Sequence, residues 1–427
     1  MSKAVAWYGE TIAIGSELLQ GGRVDTNSLF LGEQLASIGI ELRYKTVVGD
    51  DLSDIMAVLQ TAVRRARVVV MTGGLGPTVD DLTRDAVAKA TGCRLGRRKE
   101  ALEGMTARLA QWGRSPSTAQ LRQALIPAKA LVLPNPVGSA PGFSLVWKGA
   151  FIASLPGVPR EMEAMVKQTV LPEVGAWLAG HKVVGLSPLV RRVFHTVGVP
   201  EADVDAALKG VVPAGVPIDL GMLASPLGVL VSLTTKPGHA AGRSRIEELS
   251  DAVRGRLREW LYAEGGESME EVVGRLLADR RLTLGLAESC TGGLIAHRLT
   301  QVPGASIYMD RGVVCYSNRA KTDMLGVPAS LIAEHGAVSQ EVAAAMARGI
   351  RERGHVSIGL SVTGIAGPGG ATPTKPVGLV YIGLDGGEGS VMTREYRFHG
   401  DRHTIKQRSS QAALDLLRRW LQGRTTS

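Results

Sequence analysis

The chain has 427 residues, and at ~150 residues per domain this length suggests two or three domains. Hydrophobic residues make up 44% and charged residues 21%, which is typical of globular proteins and excludes a chain that is disordered throughout. The net charge of +9 is spread along the chain and only 4% of the residues are aromatic, so direct nucleic-acid binding is not expected. This mild basicity favours small anionic ligands.

The cysteines and the first residues indicate a cellular compartment. Cys93, Cys290 and Cys315 form neither a CxxC pair nor a disulfide framework, which fits a reducing cytosol. Glu10 interrupts the apolar run at the N-terminus, and no apolar stretch reaches the ~18 residues needed to span a bilayer. We therefore expect a cytoplasmic protein without a membrane partner.

The first 180 residues alternate strand-like and helix-like runs. The run TIAIG (11–15) predicts a strand, and near-helical spacing of leucines predicts a helix from about Asp25. Because strand and helix continue to alternate, the pattern predicts a parallel sheet with sites at the carboxyl ends of its strands. The further predicted elements are strands over 41–49, 67–74 and 151–157, helices over 52–66, 81–91, 98–112, 116–124 and 159–178, and a loop over 135–142.

Two further units follow. Residues 181–262 predict a small α/β unit with the strand-like runs VRRVFHTVG and GVLVSLTTKPG and a helix over 243–261. The composition of AEGGES (263–268) predicts a linker, and residues 269–427 predict a separate α/β domain. The elements predicted in this last domain are helices over 269–279, 291–300, 318–325, 339–353 and 402–421, and strands over 282–287, 355–362, 377–384 and 391–398.

In the last domain, ESCTGG (288–293) stands where a predicted strand turns into a helix. A serine at such a turn lies near the positive end of a helix, where backbone N–H groups can hold an oxyanion. Ser289 is therefore a candidate nucleophile. Lys321 in YSNRAK (316–321) is a candidate base, because a desolvated lysine can lose its proton near neutral pH. A second glycine turn, VTGIAGPGG (362–370), offers further N–H groups for an oxyanion or a phosphate.

Plainer interpretations compete with this one. Ser289 could cap the helix, and Cys290 could be either the nucleophile or a small buried filler. Thr363 could be an ordinary strand residue, and Arg402 could be an exposed surface arginine. The combination of Ser289, Lys321 and the second glycine turn favours the catalytic interpretation, since serine–lysine pairs are a known variant of the catalytic triad.

The motifs ESCTGG, YSNRAK, HGAVS (335–339), TGIAGPGG…KPVG (363–378) and GDR (400–402) together resemble the C-terminal domain of the CinA family. That domain is similar to the nicotinamide-nucleotide amidases, which hydrolyse nicotinamide mononucleotide to nicotinate mononucleotide and ammonia without a cofactor. Ala371 stands where the family usually has glycine. The resemblance implies that Ser289 is the nucleophile and Lys321 the base, with Tyr316 beside them. It places the following residues around the substrate: Thr291, Gly292, Gly293, Ser306, Thr363, Gly364, Ile365, Ala366, Gly367 and Arg402.

The segment TGGLGPTVDDLT (72–83) also follows a predicted buried strand and precedes a helix. Its glycines let the chain approach a ligand closely and leave N–H groups facing it. Asp80 and Asp81 stand at the helix start, where two carboxylates can hold a hard cation that bridges phosphate oxygens, although one of them could instead cap the helix. The first 180 residues contain no histidine and only Cys93, so the available oxygen ligands favour a Mg²⁺-like divalent ion.

This segment, together with GSELLQGGRVDTN (15–27), NPVGSAPG (135–142) and LPGVPREM (155–162), resembles the N-terminal domain of the CinA family. That domain is similar to the molybdopterin-binding fold of molybdenum-cofactor biosynthesis proteins, and in CinA it is associated with a metal-dependent ADP-ribose pyrophosphatase activity. The family often has asparagine at the position of Asp25. The resemblance assigns Asp80 and Asp81 to the divalent metal. It assigns the following residues to the substrate: Thr72, Gly73, Gly74, Gly76, Pro77, Thr78, Asn135 and Gly138.

The expected fold class is α/β. It comprises a molybdopterin-binding-like three-layer α/β/α domain (1–180), a small KH-like α/β middle domain (181–262) and a C-terminal α/β amidase domain (269–427). The middle region shows no convincing GxxG clamp, so RNA binding is not inferred there. The expected protein is a homodimer that hydrolyses nicotinamide mononucleotide and ADP-ribose. Two alternatives stay open: a pterin- or nucleotide-binding protein without turnover, and an interaction partner in competence or DNA repair.

Overall fold

The computed structural model describes residues 7–181, 186, 188–235, 240–387, 389 and 391–423. The parts of the predicted domains that fall in the gaps, including part of the run GVLVSLTTKPG, lie outside the described residues. The chain divides into two compact units, one drawn from residues 1–190 and 235–244 and the other from residues 191–234 and 245–427. Within the described ranges, no helix combines the length and the apolar character needed to cross a membrane.

The first unit begins with the βαβαβ order that the sequence predicts. A 3₁₀ turn (Arg122–Ala124) follows its sixth helix, and a π-helical segment (Val166–Val170) interrupts the predicted helix over 159–178. In chain order its elements are β1 Tyr8–Ile14, α1 Ser16–Leu19, α2 Asn27–Ser37, β2 Glu41–Val48, α3 Leu52–Arg65, β3 Val68–Thr72, α4 Thr83–Thr91, β4 Leu95–Arg97, α5 Lys99–Gln111, α6 Thr118–Leu121, β5 Leu125–Pro127, β6 Leu131–Leu133, β7 Gly142–Trp147, β8 Ala150–Leu155, α7 Pro159–Met165 and α8 Leu171–Gly180.

A six-stranded sheet in the order β2-β1-β3-β8-β7-β6 forms the middle layer of this unit. Strands β2, β1, β3 and β8 are parallel, whereas β7 and β6 are antiparallel. Residues from α3, α4 and α5 pack in one apolar cluster, and residues from α2, α7 and α8 pack in a second one. Because each cluster takes alternate residues of β3, the two clusters cover opposite faces of the sheet. The predicted three-layer α/β/α architecture is therefore confirmed.

The second unit contains the middle and C-terminal regions. Two 3₁₀ turns (Arg258–Trp260 and Ala305–Ile307) connect its elements. In chain order these are β9 Arg191–Thr196, α9 Glu201–Leu208, β10 Ile218–Ser225, β11 Gly228–Thr235, α10 Ala240–Leu257, β12 Leu261–Glu264, α11 Met269–Asp279, β13 Leu284–Glu288, α12 Leu294–Thr300, β14 Met309–Val314, α13 Asn318–Leu325, α14 Ala329–His335, α15 Gln340–Gly354, β15 Ile358–Gly364, β16 Leu379–Asp385, β17 Met392–Arg397 and α16 Arg402–Leu421.

Two sheets organise this unit. The middle region has four strands in the order β10-β11-β9-β12, and the C-terminal region has five in the order β14-β13-β15-β16-β17. Strand β13 is parallel to both β14 and β15, so the carboxyl ends of these three strands meet at one edge. Helices α11, α12 and α16 pack on one face of the five-stranded sheet, and α13, α14 and α15 pack on the other.

The predicted linker over 263–268 is partly wrong. Ala263 and Glu264 belong to β12, which pairs with β9, and Ser268 caps α11. Val197 is buried in the apolar core of the C-terminal sheet, and Tyr262 packs against that core. The segment between the two regions therefore has only three residues outside regular elements and their caps, and the two regions share apolar contacts.

An ion pair between a buried glutamate and an exposed arginine joins α3 to the first sheet. The Glu10 side chain on β1 is fully buried, and its carboxylate accepts hydrogen bonds from Arg65 Nε at 2.8 Å, Arg65 Nη2 at 2.7 Å and Thr46 Oγ1 at 2.7 Å. The carboxylate holds the pKa of Arg65 above its ordinary value. A buried carboxylate that loses its cation keeps its desolvation cost, so this pair constrains how α3 packs on the sheet.

We predict that Arg65→Met lowers the free energy of unfolding by about 2 kcal/mol, because Glu10 then lacks its charge partner. Urea unfolding of the full chain measures this loss. The control is Arg319→Met, which removes an exposed ion pair with Asp323 and should change stability by less than about 0.5 kcal/mol. Equal stability of the two variants would contradict the role assigned to Glu10 and Arg65.

Candidate functional site

The first candidate site lies at the carboxyl edge of the five-stranded sheet. Strand β13 is buried along its whole length, and Ser289 follows it directly. The Ser289 N–H donates to the Val362 carbonyl, and the Cys315 N–H donates to the Glu288 carbonyl, so the sheet pairing extends into the turns. Strand β14 leads into Tyr316 and β15 into the second glycine turn. The topology therefore brings together the motifs that are far apart in sequence.

Ser289 and Lys321 are in direct contact. Lys321 Nζ donates to Ser289 Oγ at 3.0 Å and to the carbonyl oxygen of Cys315 at 2.9 Å. Lys321 is only 1% exposed and Ser289 only 7% exposed. Burial lowers the pKa of Lys321 from its ordinary value of 10.5, although the nearby thiols oppose this shift. An amine that loses its proton more easily and contacts a hydroxyl has the geometry of a general base and its nucleophile.

Glu288 has a role that sequence reasoning missed. Its buried carboxylate accepts the N–H groups of Gly293 at 3.0 Å, Ile295 at 3.1 Å and Ala296 at 2.8 Å. The Gly292 N–H donates to the Ser289 carbonyl. The expectation that the start of α12 holds an oxyanion is therefore wrong for these four N–H groups, because protein acceptors already occupy them.

A cavity of about 220 Å³ opens beside the serine–lysine pair. Of the predicted substrate residues, Thr363, Gly364, Ile365, Ala366, Gly367 and Arg402 line it, together with Tyr316. Among the described residues, the N–H groups of Cys290, Ala366 and Gly367 donate to no backbone carbonyl. These three groups also lie on residues of the cavity wall, and they are the candidates for holding an oxyanion.

Two polar side chains fix the cavity wall. Thr363 Oγ1 donates to the Ala337 carbonyl at 2.7 Å. Lys375 Nζ donates to the carbonyls of His335 at 2.6 Å and Val338 at 2.7 Å. Thr363 is thus a wall residue that positions Ala337, in addition to the substrate contact predicted for it. The role of Lys375 is visible only in the structure, since the lysine and its two carbonyl partners are about 40 residues apart.

Arg402 spans the mouth of the cavity. Its Nη1 donates to the Gly367 carbonyl at 2.7 Å, and its Nη2 donates to the Tyr316 hydroxyl at 2.9 Å. Arg402 is exposed, as the plainer interpretation expects, but these two hydrogen bonds hold its guanidinium at the cavity. Tyr316 is 59% exposed, so its hydroxyl stands at the rim, while Lys321 lies buried behind it.

Cys290 fits the filler interpretation. Burial raises the pKa of its thiol to about 12, so the reactive thiolate is scarce at neutral pH. The thiol is 5% exposed and belongs to the apolar core under the sheet. Ser289, which has the lysine contact, is the better candidate for the nucleophile.

Four residues predicted around the substrate do not line the cavity. Thr291, Gly292 and Gly293 form the turn into α12, on the side held by Glu288. Ser306 lies in a 3₁₀ turn that precedes β14, whereas the cavity lies after β14. The six residues of β14, which rise ~3.3 Å each, lie between Ser306 and the cavity. Ser306 is therefore at the far end of this strand from the site.

The second candidate site is a cavity of about 560 Å³ at the carboxyl ends of β1, β3 and β8. The glycine turn after β3 forms one wall, with Gly73, Gly74, Gly76, Pro77 and Thr78 at the cavity. Gly73 has a positive φ of 103°, and a side chain there would approach the Ile14 carbonyl to 2.1 Å. Glycine is therefore required at this position.

Polar side chains from α4 and its approach hold this glycine turn. Asp81 accepts from the N–H groups of Gly76 and Thr78, both at 2.7 Å, and from Thr78 Oγ1 at 2.5 Å. Arg84, which is 3% exposed, donates to the carbonyls of Leu75 at 2.8 Å and Gly76 at 2.7 Å. Thr83 Oγ1 donates to the Gly73 carbonyl at 2.8 Å. Arg84 and Thr83 were not predicted, because the first positions of a helix give no sequence signal for such contacts.

The described residues fit the predicted metal site only in part. Among the described residues, no three histidine, cysteine or acidic groups lie close enough together to hold a metal ion. Both carboxylate oxygens of Asp81 are engaged by the turn, whereas Asp80 is exposed at the cavity. A divalent cation here would take most of its ligands from phosphate oxygens and water. Its binding by Asp80 and Asp81 stays a prediction.

The remaining predicted residues lie beside this cavity. The Asn135 side chain holds the loop in which it lies. Its Oδ1 accepts from the N–H groups of Val137 and Gly138, and its Nδ2 donates to the Glu161 carboxylate at 2.7 Å. Asn135 and Gly138 line a small neighbouring cavity and stand behind Glu161, which faces the main one. Thr72 lines an adjoining cavity of about 330 Å³. Asn135 and Gly138 thus position the wall.

Comparison with known protein families agrees with this architecture. Residues 10–176 match the probable molybdopterin binding domain, residues 191–263 match the damage-inducible protein CinA KH domain, and residues 266–421 match the CinA C-terminal domain. The fold and the two glycine turns thus define a three-part α/β protein with a molybdopterin-binding-type domain, a KH-like domain and a CinA-type domain.

Relatives match over nearly the whole chain. A putative competence-damage inducible protein from Moorella thermoacetica is 44% identical over 96% of this chain and 98% of its own, and one from Halothermothrix orenii is 41% identical with the same coverage. A CinA structure from Thermoplasma acidophilum shares 37% identity and covers 39% of this chain and 98% of its own, with a TM-score of 0.37. The chain belongs to the CinA family.

Proposed function

We propose that the C-terminal domain is an amidase that hydrolyses nicotinamide mononucleotide to nicotinate mononucleotide and ammonia. The observation that carries this proposal is the contact of 3.0 Å between Lys321 Nζ and Ser289 Oγ at a cavity wall. The choice of nicotinamide mononucleotide as the substrate rests on the motifs shared with the nicotinamide-nucleotide amidases.

The reaction follows from these groups. Neutral Lys321 takes the Ser289 proton while the serine oxygen attacks the carboxamide carbon, and the developing oxyanion faces the N–H groups of Cys290, Ala366 and Gly367. As the C–N bond breaks, Lys321 returns the proton to the leaving nitrogen, and ammonia departs. Water, deprotonated by Lys321, then attacks the acyl-serine ester. Ser289 recovers its proton and the carboxylate is released.

We propose in addition that the N-terminal domain hydrolyses the pyrophosphate of ADP-ribose. The cavity of about 560 Å³ has the size of a nucleotide pocket, and its glycine turn presents backbone groups to anions. A divalent cation held at Asp80 would neutralise phosphate charge. Arg23 also lines the cavity and would contact a phosphate oxygen.

Removing either member of the serine–lysine pair should abolish ammonia release. We expect Ser289→Ala and Lys321→Met each to lower kcat by roughly three or more powers of ten, because the two groups act as a unit. Lys321→Arg should not restore activity, since guanidinium stays protonated. Cys290→Ala is the control and should cost little. Robust activity in Ser289→Ala with loss in Cys290→Ala would make the thiol the nucleophile.

Amidase activity should rise with pH as Lys321 loses its proton. Burial lowers the folded-state pKa of this lysine, so the midpoint of the rise in kcat/KM should fall below 10.5. A pH–rate profile with nicotinamide mononucleotide measures the midpoint. An activity that decreases over the whole range from about pH 6 to pH 9 would show that the protonated lysine is the active form.

The pyrophosphatase should depend on the two aspartates. Asp80→Ala combined with Asp81→Ala should abolish Mg²⁺-dependent cleavage of ADP-ribose while ammonia release continues, since the two sites belong to different domains. Glu103→Gln changes an exposed acid on α5 and serves as the control. If the double variant cleaves ADP-ribose at the wild-type rate, the cation is held elsewhere.

A further inference from the structure

A second cavity adjoins the one that carries the glycine turn of the N-terminal domain. Its volume is about 330 Å³. Ile14, Arg23 and Gly157 line both cavities, so the two meet at this shared wall. The glycine turn and Asp80, on which the pyrophosphatase proposal depends, line only the larger cavity. The adjoining cavity therefore has no role assigned to it.

Thr72 brings an unpaired hydroxyl to the wall of the adjoining cavity. It is the last residue of β3, and because side chains alternate along a strand it shares the face of Val68 and Val70, which pack with α2. Thr72 is only 4% exposed. Its hydroxyl makes no hydrogen bond to the described residues and is not sealed from the cavity. Since buried polar groups normally have a partner, this hydroxyl indicates a place for a polar ligand group.

Two carboxylates add hydrogen-bond acceptors to this wall. Asp25 Oδ1 accepts the Ser28 N–H at 3.0 Å, and the second oxygen of Asp25 has no partner among the described residues. The Glu17 carboxylate also has none in the described part of the chain. Asn27 holds the shared wall in place, because its Nδ2 donates to the Gly157 carbonyl at 2.9 Å. The cavity thus presents several oxygen acceptors that lack donors.

The charges at this cavity disfavour an anion. The start of a helix such as α2 attracts anions, but here the protein's own Asp25 carboxylate already lies at that end. Glu17 adds a second negative charge to the wall, against the single positive charge of Arg23. A phosphate is therefore better placed at the glycine turn of the larger cavity, and a neutral ligand group with O–H donors fits the adjoining one.

A sugar matches this wall better than a base does. Adenine has one amino donor and several ring acceptors, so most of its polar atoms would face other acceptors here. Among the described residues that line the cavity, none is aromatic. A ribose carries several hydroxyls that can each donate a hydrogen bond, and its C–H groups can pack against Ile14, Leu18 and Val24.

We propose that the adjoining cavity is a sugar subsite, in which Thr72 and Asp25 bind the hydroxyls of the terminal ribose of ADP-ribose. This inference rests on the proposed pyrophosphatase function. The pyrophosphate then lies at the shared wall beside Arg23, and the adenosine occupies the larger cavity. The subsite makes the N-terminal domain select diphosphates that carry a sugar over those that do not.

The test measures binding of two compounds to the full-length chain by calorimetric titration, without a divalent cation so that no cleavage occurs. The compounds are ADP-ribose and the β-methyl ester of ADP, which has the same phosphate charge but no terminal sugar. We expect the wild-type chain to bind ADP-ribose about tenfold more tightly, because the sugar adds hydrogen bonds. Thr72→Val keeps the shape of the side chain and should weaken ADP-ribose binding about fivefold, with no change for the methyl ester. Thr72→Ser should keep the wild-type affinity. Thr61→Val makes the same chemical change on the exposed side of α3 and is the control.

Binding without turnover separates this inference from the pyrophosphatase proposal. A chain that binds ADP-ribose in a Thr72-dependent way but does not cleave it with Mg²⁺ would refute the pyrophosphatase function alone. Equal affinity of the wild-type chain for the two compounds would overturn the subsite without the need for any variant. Equal losses for both compounds in Thr72→Val, or no loss for ADP-ribose, would overturn it as well.

Discussion

The C-terminal site depends on one buried amine. Lys321 is enclosed by the α13 side of the sheet and has two oxygen partners, the Ser289 hydroxyl and the Cys315 carbonyl. Enclosure disfavours the charged form of the lysine, and this makes the amine available as a base. The rest of the domain serves this contact, because β13 presents the serine, β14 supplies the carbonyl and α13 supplies the lysine.

In both sites, charged side chains hold the backbone of a glycine turn. A glycine turn at the carboxyl end of a parallel strand must keep a defined shape before any ligand arrives. In the C-terminal domain Glu288 holds the turn through three backbone N–H groups. In the N-terminal domain Asp81 holds N–H groups and Arg84 holds carbonyls. Charged side chains of the protein itself thus fix backbone that would otherwise be free to rearrange, which keeps each site organised in advance.

Sequence patterns predicted most of this fold because its parallel strands are buried apolar runs that end in glycine turns. One of several elements they missed is β14, whose MDRGVV sequence is exposed at the sheet edge and lacks a buried alternation. Ser289 and Lys321 were accessible from sequence because their motifs are local. Glu288, Arg84 and Lys375 were not, because each works through backbone groups that only the folded chain brings near. Ser306 lies at the other end of β14 from the cavity, so its predicted substrate contact stays a prediction.

The packing of Val197 and Tyr262 into the core of the C-terminal sheet has a thermodynamic consequence. Apolar contacts that cross a region boundary are lost as soon as either region opens, so unfolding of one region destabilises the other, and the middle and C-terminal regions should share one cooperative transition. The N-terminal sheet has its own two apolar clusters and does not need that transition. Thermal unfolding should then show two transitions, although three family domains match along the chain.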